Sequence, residues 1–96
     1  MSPNKKNKLN KLRKNLDNID KQLIEIIKKR TKVIDNVIKI KEFKNQIVDK
    51  KRINVILKKI KKLSIKNKVD PKVTNRIWKN MIWSYIDYER RNFKKK

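Results

Sequence analysis

From Leu9 to about Lys41 or Phe43 nothing breaks a helix, and one apolar stripe runs through the stretch. Leu12, Leu16, Ile19, Leu23, Ile26, Arg30, Val33, Val37 and Ile40 recur at alternating steps of four and three, the spacing of one face of an α-helix. At ~1.5 Å per residue such a helix is about 45 Å long. It cannot fold back on itself, so its stripe needs other helices along its whole length. An antiparallel two-chain arrangement supplies them economically. One member of the stripe is out of character. Arg30 is planar and permanently charged, and a guanidinium on a core seam is costly unless an anion lies against it.

The rest of the chain supplies two further helices. Glu42 to Val48 loses the stripe and is expected to be a connection. Asp49 stands as an N-cap ahead of Ile53, Ile56, Ile60 and Leu63, which step three, four, three in a second, shorter helix. It should end within Ser64 to Lys68, with Asn67 as the left-handed residue. Asp70-Pro71 is the clearest start signal, a cap followed by proline at the first helical position. The third helix runs from there to about Phe93 with two adjoining stripes: Thr74, Ile77, Met81, Ser84, Tyr88, and Trp78, Ile82, Tyr85, Glu89. Residues 1–8 are polar, lysine-rich and expected to be a flexible basic N-terminus, leaving 9–93 as the helical domain. The expected fold class is all-α: three helices, long, short and medium, in an intertwined dimer.

Composition narrows the chemistry. With 36% hydrophobic residues, 96 residues build a modest core for one chain, which again favours a partner. Histidine and cysteine are absent, which excludes a disulfide framework, the usual zinc site and the usual neutral-pH general base. No metal and no cofactor is expected. No apolar run approaches the ~20 residues of a membrane span, and MSPNKKNKLNK has no apolar core of a secretory signal. A cytoplasmic protein without a membrane partner is the expectation.

The formal charge of +22 first suggests a polyanion. Of the 31 basic residues, however, only six are arginine, and the chain is rich in Asn and Ile and lacks Gly and Ala. That pattern is the signature of A/T-rich codons, so the lysines are chiefly a solvated face. Nucleic acid is not the expected partner. A basic helical nucleic-acid-binding protein remains the reading from another class, and it leaves Arg30 unexplained.

The chemistry-bearing candidates are Arg30, Lys41 about three turns further along, Arg13 seventeen residues earlier, Arg52 at the start of the second helix, and Glu89 on the third. Several cations and one carboxylate converging on a helical core suit a small dianion held by bidentate guanidinium contacts. Each has a plainer alternative. Arg13 is placed to pair with Asp17 one turn on; Lys41 and Arg52 could be surface residues; Glu89 could belong to a network with Arg90 or Arg91. For Arg30 the internal acids Asp20 and Glu25 are neither three nor four residues away.

In order, Arg13, Leu16-Asp17, Asp20, Leu23, Arg30, Val37, Lys41, then Asp49 and Arg52, then Asp70-Pro71 and a closing helix with Ser84 and Glu89, the chain resembles the all-helical chorismate mutase family over about residues 9–93. The resemblance implies a domain-swapped helical dimer acting on chorismate in aromatic amino acid biosynthesis, each site taking one arginine from the other subunit. By that resemblance Arg13, supplied in trans, binds one substrate carboxylate and Arg30 the other. Lys41 donates to the ether oxygen of the breaking C–O bond, and Glu89 stands opposite it. Asp49 and Arg52 line the ring end, and Ser84 lies near the ring hydroxyl. A [3,3] rearrangement needs no nucleophile, base or metal. It needs the compact conformer held, and cations where negative charge grows.

Two departures stand out. Many chorismate mutases carry glutamate where this chain has Ile53. An apolar residue there, with Trp83, Tyr85 and Tyr88, is similar to the isochorismate pyruvate-lyase branch, which makes salicylate and pyruvate from isochorismate. That activity is the alternative. Glu89 stands where bacterial members often have glutamine. A carboxyl group donates to an ether oxygen only when protonated, so activity should fall as pH rises, and Glu89→Gln should flatten that limb.

Overall fold

A computed structural model describes residues 2–94. Three α-helices follow one another: α1 (Pro3–Ile40), α2 (Lys50–Lys66) and α3 (Pro71–Asn92), with a 3₁₀ turn at Lys44–Gln46 between the first two. No strand occurs among the described residues. The all-helical expectation and the order long, short, medium hold.

The first helix begins at Pro3 rather than Leu9. Ser2 caps it: its side-chain Oγ accepts from the Lys5 N–H at 3.3 Å and its carbonyl from the Lys6 N–H at 2.9 Å. Ser2-Pro3 is thus the same cap-then-proline signal as Asp70-Pro71. Judged by its apolar stripe alone the start is misplaced, because a capped and solvated turn needs no apolar partner.

The chain divides into two units, one ending at Val33 and the other beginning at Ile34. In the first, α1 carries its stripe largely uncovered, with Leu16 58% and Leu23 48% exposed. Within the second, α2 and α3 pack on one another. Ile47, Ile82 and Ile86 form the buried cluster, against which Val48, Ile53, Ile56, Leu57 and Phe93 pack. Alternate stripes decide the face: α3 buries Ile82, Ile86 and Glu89, while Ile77 and Ser84 stay exposed.

The connections explain how these elements are placed. The Gln46 carboxamide oxygen accepts from the N–H groups of Glu42 and Phe43 at 2.8 and 2.9 Å, closing the turn that delivers Ile47 to the core. Asp49 caps α2 through the Arg52 N–H at 3.0 Å, and Asp70 caps α3 through the Lys72 N–H at 2.9 Å, each satisfying a donor that the first helical turn leaves open. At the end of α2 the left-handed residue is Lys68 (φ 57°), not Asn67 (φ −94°). The Lys68 N–H returns to the Ile65 carbonyl and the Val69 N–H to that of Ser64, the paired closure of a Schellman turn. Asn67 instead spends its side-chain amide on the Leu63 carbonyl at 2.8 Å. Buried Ser64 donates to the Ile60 carbonyl and lies 2.7 Å from Thr74 Oγ1, joining α2 to α3.

Candidate active site

Lys41 follows the last residue of α1, and its N–H still closes onto the Val37 carbonyl at 3.1 Å. The backbone is therefore held as a final helical turn, which aims the side chain. Its Nζ donates to Glu89 Oε1 at 3.0 Å. Glu89 lies on the face of α3 that Ile82 and Ile86 bury, and its side chain is 7% exposed against 21% for Lys41. Charges removed from water are expensive and gain little net stability from pairing. A nearly buried ion pair on an otherwise aliphatic face therefore marks a candidate functional position.

One residue away, the Tyr88 hydroxyl donates to Asp35 Oδ1 at 2.6 Å. The Tyr85 ring meets that of Tyr88 edge-on with centroids 6.2 Å apart, and the Arg91 guanidinium lies 5.9 Å from the Tyr88 centroid. Arg91 is itself tied to Asp87 at 2.9 Å. The hydrogen bond to Asp35 pushes the Tyr88 hydroxyl above its ordinary value of 10.0, helped by burial and by the Asp35 charge and opposed by Arg91. Asp35 and the Tyr88 hydroxyl are absent from the candidates drawn from sequence. The available signal was an acid set among Val33, Ile34, Val37 and Ile38 on the same helix as Lys41.

The other candidates fall in several settings. Asp49 is engaged as the α2 cap, Arg52 is exposed beside it, and Ile53 packs against the Ile47–Ile82–Ile86 cluster. Ser84 is exposed on α3. Within the first unit Arg13 is exposed and Arg30 half-buried on α1. Among the described residues Lys41 and Glu89 are in direct side-chain contact, and Glu89 takes Lys41 as its cation while Arg91 pairs with Asp87.

The family model of chorismate mutase type II matches residues 12–90, and the chain belongs to that family. Rearrangement of chorismate to prephenate is the activity this membership assigns to it. No curated protein and no solved structure matches the chain significantly.

Proposed function

We propose that the protein rearranges chorismate to prephenate as a cytoplasmic homodimer, with Lys41 and Glu89 at the breaking C–O bond. The observation that carries this assignment is the 3.0 Å Lys41–Glu89 pair, nearly buried at the end of two helices. Without substrate the two satisfy each other. With substrate present, the ether oxygen takes the place between them, and the Lys41 ammonium donates to it as negative charge grows there. Glu89 stands on the other side of that oxygen.

Arg30 and Arg13 of the partner subunit hold the two carboxylates, which favours the compact conformer and supplies most of the entropic advantage. Asp49, Arg52 and Ile53 face the ring end of the substrate; Ser84, exposed on the side of α3 away from Glu89, is not placed there. The uncovered α1 stripe, with Leu12, Leu16, Ile19 and Leu23 all exposed, supports the dimer, because a helix with an apolar face needs a partner along it.

Turnover of chorismate and isochorismate, measured side by side at pH ~5 and ~8, tests the proposal. Prephenate from chorismate is the expected product. Salicylate with pyruvate from isochorismate would transfer the chain to the lyase activity and make Ile53 its marker. Neither product at either pH would overturn the enzymatic assignment.

A further inference from the structure

Among the described residues, the side-chain links from the end of α1 to the last turns of α3 include two long-range hydrogen bonds, and the chemistry above uses one of them. That link is Lys41–Glu89, and it must open during turnover for the ether oxygen to enter. It therefore cannot hold the two helices in register at the moment when register matters. The second link, Tyr88 to Asp35, is free of the reaction. Tyr88 immediately precedes Glu89, and Asp35 precedes Lys41 by under two turns of the same helix. The bond is short, 2.6 Å from hydroxyl to carboxylate oxygen, in the range of the stronger charge-assisted hydrogen bonds. Its donor ring is held in place from two directions, edge-on by Tyr85 and by Arg91, which Asp87 anchors in turn.

We propose that the Tyr88–Asp35 hydrogen bond is a positioning device for the rearrangement, keeping Glu89 and Lys41 aimed at one point while their own contact is broken by substrate. The proposal rests on the function assigned to that pair. Neither Tyr88 nor Asp35 touches the reacting atoms; both act through their neighbours. Small misplacements of a reacting pair are costly: a shift of about 1 Å can cost on the order of 100-fold in rate. Loss of this tether alone should cost less than that, on the order of tenfold.

Steady-state kinetics of Tyr88→Phe, Asp35→Ala and Asp35→Asn provide the test, with helix content and melting temperature checked for each. Tyr88→Phe and Asp35→Ala are expected to lower kcat about tenfold with KM changed less than about twofold. Asp35→Asn should recover most of the loss, because its amide oxygen still accepts from the Tyr88 hydroxyl. In a Glu89→Gln background, Tyr88→Phe should cost less than it does alone, as expected for residues acting through a shared partner.

Wild-type kcat in Tyr88→Phe and Asp35→Ala, with lowered melting temperatures, would make the bond structural only and overturn the positioning role. So would full additivity with Glu89→Gln. Failure of the unaltered protein to turn over chorismate sinks the assigned function and this inference together. An active protein with an indifferent Tyr88→Phe sinks the inference alone.

Discussion

Lys41 and Glu89 respond differently to replacement because one is the cation and the other the more deeply buried partner. Lys41→Ala leaves the Glu89 carboxylate without its donor, so both turnover and stability should fall, with kcat down by about 100-fold or more. Glu89→Gln keeps a hydrogen-bonding side chain of the same shape. It should preserve the fold and turnover, because the carboxamide offers both an acceptor for Lys41 and a donor; loss of turnover with helix content intact would count against that role. Tyr88 adds a pH dependence of stability. Its folded hydroxyl titrates above 10.0 through the bond to Asp35, so the folded state keeps a proton that the unfolded chain has released. That contribution is fully present below pH 10.0 and is lost as pH rises through the folded value. Thermal melts from neutral to strongly alkaline pH should show the loss, and Tyr88→Phe should remove that component.

Helix ends are where local sequence speaks most plainly. Asp49 and Asp70 were legible as caps because a short acceptor before an apolar period, with proline next in one case, has few other uses. Asp70→Ala should cost about 1 kcal/mol, a fall in melting temperature of about 4–8 °C for a domain of this size, with activity intact. An unchanged melting temperature would mean the cap contributes nothing. Other ends were less legible. The polar Ser2-Pro3 start has no apolar stripe behind it, although its capping chemistry repeats that of Asp70-Pro71. The left-handed position at the end of α2 falls on Lys68, where the paired return of the Lys68 and Val69 N–H groups offsets the cost of that conformation for a residue with a Cβ. Propensity alone favours Asn67 there. Which side of α3 is buried also depended on its partner: Ile86 belongs to neither stripe predicted from spacing, yet it sits in the cluster with Ile47 and Ile82.

For the whole molecule, the decisive question is which subunit supplies Arg13. If it comes in trans, Arg13→Ala and Arg30→Ala are each inactive as homodimers, yet mixing them after subunit exchange restores one intact site per heterodimer, about a quarter of wild-type activity at random assortment. Supply in cis predicts no recovery. Replacing Leu16 and Leu23 with aspartate should break the proposed dimer, as read by sedimentation, and abolish turnover with it; a wild-type sedimentation coefficient that already fits a monomer would overturn the dimer. The three helices, their order and the arginine spacing are local properties, carried by apolar periods of three and four residues and by caps a few residues long, so the chain alone sufficed for them. The Lys41–Glu89 contact spans 48 residues and Tyr88–Asp35 spans 53. No local period relates residues so far apart. The packing of α3 set both distances, and so turned a resemblance in spacing into a pair of groups 3.0 Å apart.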